Sequence, residues 1–137
     1  MQKYEGRKQI LAKPMTLLEY NKYRNWEMPE DEDGTTEGYL VEYLDGGKAN
    51  HPEHTNYISW SPKDVFDKSY KLIDTYDQRI QLEYKELMEK ITKLRVFIES
   101  DIYSEIAEDD QQLLQEQYKH MKGYLRVLYT RLWGISD

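Results

Sequence analysis

Proline and glycine are distributed so unevenly along these 137 residues that they divide the chain before any other pattern is read. Pro14, Pro29, Pro52 and Pro62 are all of its prolines, five of the seven glycines precede residue 48, and neither type occurs between Pro62 and Gly123. Both residues punctuate turns and interrupt helices, so the first segment predicts short elements joined by turns and the second long unbroken helices. The change places a boundary near residues 71 to 75, with residues 1–72 as a small α+β module and 73–137 as a helical hairpin.

In the first segment QILA reads as a strand that stops at Lys13-Pro14, because proline supplies no ladder donor. Thr16 and Glu19 have the spacing of a capping box, opening a short helix to Tyr23 or Arg24. Gly38 to Tyr43 and Tyr57 to Trp60 read as strands, and Asp45-Gly46-Gly47 as a turn that takes positive φ. Ser61-Pro62-Lys63-Asp64 repeats a helix start with Ser61 as cap, after which Val65, Phe66, Ser69 and Tyr70 share one face. Two or three short strands and two helices result.

Ile80, Tyr84, Leu87, Ile91, Leu94 and Ile98 advance by alternating steps of four and three, which predicts a helix from about Tyr76 to Glu99 capped by Thr75 with Gln78. Leu114, Met121, Leu125, Leu128 and Leu132 form a second stripe, with Gln117 or Tyr118 at the missing step, on a helix from near Asp109 and Asp110 to near Gly134. Ile102, Tyr103 and Ile106 in the connection are expected to close the end of the core. The fold class is therefore α+β: a small N-terminal α+β unit followed by a long antiparallel two-helix hairpin. Two helices bury little, and Tyr124, Tyr129 and Trp133 widen the apolar surface of the second. A homo-oligomer built through the hairpin is expected.

Composition excludes several kinds of chemistry. Without cysteine there is no disulfide framework and no thiolate ligand or nucleophile, and a formal net charge of -7 disfavours a coat for long nucleic acids. The N-terminus lacks the apolar run of a signal peptide and no 18-residue apolar stretch occurs, so no membrane association and a cytoplasmic location are expected. Neither GxxxxGK[ST] nor GxGxxG is present, and Ser59 and Ser61 have no histidine at a nucleophile's spacing, so a non-enzymatic protein without cofactors is expected. His51 and His54, beside Asp45 and Glu53, admit a metal or an anion. The preferred reading gives Asp45, His51 and His54 the role of organising the loop between two strands, with no metal. Five acids in EMPEDEDG, residues 27 to 34, suit either a solvated loop or a phosphate mimic for a basic partner.

Tyrosine is the unusual component, with 13 residues against three tryptophans and two phenylalanines. A tyrosine ring contributes contact area and its hydroxyl a hydrogen bond, as a ligand-stacking or protein-contact surface requires. Lys119, Lys122 and Arg126 lie near Tyr118 and Tyr129 on the last helix. Tyr118, Lys122, Tyr124 and Arg126 are the candidate ligand-binding residues, with the rings to stack on a base and the cations to meet a phosphate.

Lys13-Pro14-Met15-Thr16, the run from Glu37 to Tyr43, Asp45-Gly46-Gly47, Asn50-His51-Pro52 and Tyr57 to Lys63 resemble a module of small uncharacterised proteins of tailed phages and prophages. Tyr76-Asp77-Gln78-Arg79 through Phe97-Ile98 to Gln111-Gln112-Leu113-Leu114, Gln117, Met121, Tyr124 and Leu128 resemble a helical-hairpin family of phage accessory proteins found among gut phages. In length and helix order the hairpin also resembles the anti-CBASS sponges of phages, oligomers that sequester cyclic nucleotide immune signals without hydrolysing them. The resemblance implies a counter-defence protein in the host cytoplasm whose partner is a small phosphorylated nucleotide. The alternative it leaves open is a phage protein that binds and inhibits a host protein through its acidic or tyrosine-rich surface.

Overall fold

The computed structural model describes residues 1–134, so residues 135–137 of the expected hairpin lie outside the described residues. Met1–Tyr70 and Lys71–Asp137 form two compact units. The chain is α+β, with a three-stranded antiparallel sheet in the first unit and a long pair of helices in the second.

In the first unit β1 (Ile10–Pro14), α1 (Leu17–Tyr23), β2 (Gly38–Tyr43), β3 (Ile58–Pro62) and α2 (Lys63–Ser69) follow in order, and the sheet order is β1-β2-β3. β1 runs through Pro14 rather than ending before it, with Pro14 opposite Tyr39. Hydrogen bonds alternate along an antiparallel edge strand. The amide of Met15 donates to Gly38 O at 2.9 Å, and the position of Pro14 is one whose N–H would face away from β2. Thr16 and Glu19 form the expected capping box at the start of α1. At the other end Asn25 adopts φ 59°, Trp26 N–H donates to Asn21 O at 2.8 Å and Asn25 N–H to Lys22 O at 3.0 Å. This left-handed helix end folds Trp26 back on Tyr20, ring edge to ring face at 5.9 Å.

β2 is the central strand, with Leu40 and Val41 both buried. Leu40 packs with Met15, Tyr20 and Ile58, flanked by Tyr23 and Trp60. Tyr39, on the face it shares with Val41, stacks on Phe66 of α2 at 3.9 Å. Adjacent apolar residues in β2 thus reflect a strand covered on both sides. Ser61 does not cap α2. It stands in the ladder opposite Tyr39, Pro62 takes the cap position without a side-chain bond, and Lys63 N–H donates to Glu37 O at 3.0 Å. Only Phe66 and Tyr70 of the expected α2 face pack, since Val65 and Ser69 are exposed.

In the second unit α3 (Tyr76–Ile98) opens on the Thr75–Gln78 capping box, and a 3-10 helix (Asp101–Glu105) leads to α4 (Glu108–Trp133). Tyr84 near the start of α3 meets Tyr129 and Trp133 at the end of α4, so the pair is antiparallel. Ile80, Ile91 and Leu128 are buried, and the remaining stripe residues are half-buried, as a single seam between two helices allows. Tyr118, not Gln117, fills the missing step of the α4 stripe. Tyr103 closes the turn, edge-on to Phe97 and donating its hydroxyl to Gln111 O at 3.0 Å, whereas Ile102 is exposed. Among the described residues no helix is long and apolar enough to cross a membrane.

Candidate functional site

An α-helix turns about 100° and rises 1.5 Å per residue, which decides which of the α4 candidates stand together. Tyr118, Lys122 and Arg126 are spaced by four and share one side of α4 with Tyr129 and Trp133. Tyr124 lies about 200° from Lys122, across the buried seam marked by Leu128. The Lys122 ammonium sits 4.4 Å from the centroid of the Tyr118 ring. Such a cation remains available to an anion, and neither Lys122 nor Arg126 has a carboxylate partner among the described residues. At the end of the same side Tyr129 and Trp133 are 4.9 Å apart, with Tyr84 of α3 5.2 Å from Trp133. Arg131 covers the Tyr76 ring at 5.4 Å and donates to its hydroxyl.

The second cluster lies in the connection between β2 and β3. Gly46 and Gly47 take φ of 90° and 150°, the left-handed values that the turn requires. The Asn50 side chain then stands in for a strand, donating to Ile58 O at 2.9 Å and accepting from Ile58 N at 2.8 Å. This brings His51 and His54 onto Tyr23 of α1. The His51 ring stacks on Tyr23 at 4.4 Å and 7°, with its Nε2 3.2 Å from Tyr23 O, and its Nδ1 accepts from Glu53 N at 3.2 Å. His54 bonds Glu42 of β2 through Nδ1 and the Tyr23 hydroxyl through Nε2, the latter at 2.6 Å. Asp45 does not join them. It pairs with Lys8 at 3.5 Å.

Charge is distributed through this cluster in a definite way. Hydrogen bonds from His54 and then Asn56 hold the Glu42 carboxyl below the usual carboxylate range. Burial, followed by the neighbouring charge of Glu53, raises the Tyr23 hydroxyl above its ordinary value. With Nδ1–H donating to Glu42, Nε2 of His54 accepts the hydrogen bond from the Tyr23 hydroxyl. The Tyr23 hydroxyl also lies 3.3 Å from Glu53 Oε2, a second acceptor. The arrangement is a chain of hydrogen bonds across three segments. Tyr23 and Glu42 are the members that sequence reasoning passed over. The alternation along β2 puts Glu42 on the face of Leu40, toward α1, and this was the available signal.

Among the described residues no group of three or more metal-ligating side chains is placed to hold an ion. Residues 74–133, spanning both long helices, match the family model described as Sequestin. An uncharacterized 7.5 kDa protein in the denB-rIIB intergenic region of Enterobacteria phage T4 is 37% identical over 57 residues, which cover 42% of this chain and 89% of the phage protein. No solved structure matches.

Proposed function

Since the chain belongs to the Sequestin family through its helical hairpin, we propose that it is a phage accessory protein that captures a small phosphorylated nucleotide and releases it unchanged. The ligand class is a cyclic or linear nucleotide signal of host immunity, and the action is counter-defence by sequestration in the host cytoplasm. The observation that carries this reading is Lys122 over the Tyr118 ring, with Arg126 one turn further on. A ring and two cations without carboxylate partners match a base and a phosphate. In a chain of net charge -7 they suit a ligand with few phosphates, since affinity for long polyanions depends on neutralising many. The family's description, Sequestin, supports capture without turnover. Isothermal titration against cyclic di- and oligonucleotides and ADP-ribose derivatives tests it. Binding that is lost in Lys122→Glu/Arg126→Glu, with the ligand recovered intact by chromatography, is the expected result. No binding across the panel, or a chemically altered ligand, overturns it.

A second reading rests on the other side of α4, where Leu113, Tyr124 and Val127 are 62%, 47% and 46% exposed. These residues suit a protein contact, either with a second copy in a homo-oligomer or with a host protein that the chain inhibits. Light scattering separates the two partners. Charge reversal across Glu30 to Asp33 tests whether the acidic run contributes to host-protein capture.

A further inference from the structure

The first unit carries a cleft of about 470 Å³ that neither the α4 side chains nor the histidine cluster uses, with Tyr20, Asn21, Arg24, Trp26, Tyr57 and Trp60 in its wall. Its volume falls in the range of small-molecule sites, and four of these six side chains are aromatic. The left-handed Asn25 places Trp26 there, and the usual apolar contact across such a helix end accounts for Trp26 meeting Tyr20. It does not account for Arg24. The guanidinium lies 4.4 Å from the Trp26 ring centroid and 5.8 Å from that of Tyr20, and donates one hydrogen bond to the Tyr20 hydroxyl at 3.0 Å. Among the described residues no carboxylate pairs with it. A half-buried guanidinium set beside two rings, with one N–H on the Tyr20 hydroxyl, keeps most of its fork of donors for an anion.

Two further features of the wall give the occupant's shape. Trp26 and Tyr57 remain 53% and 44% exposed, leaving flat apolar faces on which a planar ring can stack. Asn21 is only 6% exposed and commits one amide hydrogen to Leu17 O at 2.8 Å, so the rest of its amide is left to hydrogen-bond in the cleft it lines. Glu32, also in the wall, offers an acceptor to an exocyclic amine. One cation, flat aromatic faces and an amide together fit a planar heteroaromatic ring bearing a single phosphate.

We propose that the Arg24–Trp26 cleft is a binding site for a nucleoside monophosphate, with the base on the aromatic wall and the phosphate on Arg24, separate from any site on α4. The test uses the full chain carrying Trp133→Phe, so that the remaining tryptophans, Trp26 and Trp60, both line the cleft. Titration with adenosine 5′-monophosphate is expected to give saturable fluorescence change. Adenosine is expected to bind at least about tenfold more weakly, the loss of one charge-assisted contact. Arg24→Gln should bring the nucleotide down to the level of adenosine. No saturable change at millimolar nucleotide overturns the proposal, as does equal affinity for nucleotide and nucleoside. Nucleotide affinity that is unchanged in Arg24→Gln overturns it too. Comparing nucleotide with nucleoside needs no substitution at Arg24, so that comparison decides the matter even where Arg24→Gln unfolds the unit.

Discussion

The hydroxyl of Tyr23 lies 2.6 Å from Nε2 of His54, joining the last residue of α1 to the loop between β2 and β3. Because the other nitrogen of His54 reaches Glu42, that loop is held to a helix and to the central strand at once. Removing the hydroxyl alone isolates its contribution. Tyr23→Phe keeps the stack on His51 and should lower unfolding stability by about 1 kcal/mol, while Tyr23→Leu loses the stack and should cost roughly another 1 kcal/mol. Urea titration followed by tryptophan fluorescence measures both. A Tyr23→Phe midpoint equal to that of the unmodified chain would refute a stabilising role for the bond.

The lowered pKa of Glu42 has a definite sign in stability. As pH falls, the unfolded chain takes up its proton on this residue first, so the stabilisation is complete above the ordinary glutamate range. It is lost as pH falls through the lower folded-state value. Glu42→Gln cannot titrate. The stability difference between the chain and this variant should therefore be greatest above the ordinary glutamate range and shrink on acidification. A difference that grows as pH falls would contradict the assignment.

Two glycines predict opposite outcomes for the same substitution. A Cβ at Gly38 would run into Ser61 O and the Trp60 ring, so Gly38→Ala should destabilise the first unit severely, by several kcal/mol. Gly123 lies inside α4 with nothing within 4 Å of a built Cβ, and Gly123→Ala should stabilise the hairpin by about 1 kcal/mol. Thermal melts followed by circular dichroism compare the two.

Leu128 is 1% exposed and Leu113 62%, although both are leucines of α4. Leu128→Ala should cost about 3 kcal/mol through lost burial and the cavity left behind, and Leu113→Ala less than about 0.5 kcal/mol. Similar losses at both sites would mean that Leu113 is covered in solution, as an oligomer through that side of α4 would require.

What the sequence discloses depends on how far apart the deciding partners stand. The Thr16–Glu19 and Thr75–Gln78 caps are complete within four residues, and both are readable from spacing alone. Ser61 resembles a cap for the same local reason, yet its pairing with Tyr39 holds it in the sheet. Pro14 resembles a strand end because edge position is a property of the folded sheet. The spacing of Ile80 to Ile98 identifies the seam of α3 but not how thin it is, which leaves Tyr84, Leu87 and Leu94 only half covered. In the histidine cluster, the residues that meet His54 come from α1 and β2, and no local pattern names them. The side of α4 shared by Tyr118, Lys122 and Arg126 follows from helical spacing alone, as does its separation from Tyr124.

The cap at Thr75 has a consequence for how such chains are assembled. Its hydroxyl accepts from Gln78 N at 3.2 Å and the Gln78 side chain returns a bond to Thr75 N at 3.0 Å, so orphan amides at the first turn of α3 find acceptors within the turn itself. The family match begins one residue earlier, at residue 74. A helix start that carries its own partners is a natural splice point. Whatever is joined upstream need not be redesigned to finish the helix, and a recurring hairpin can be coupled to different leading modules without losing its first turn.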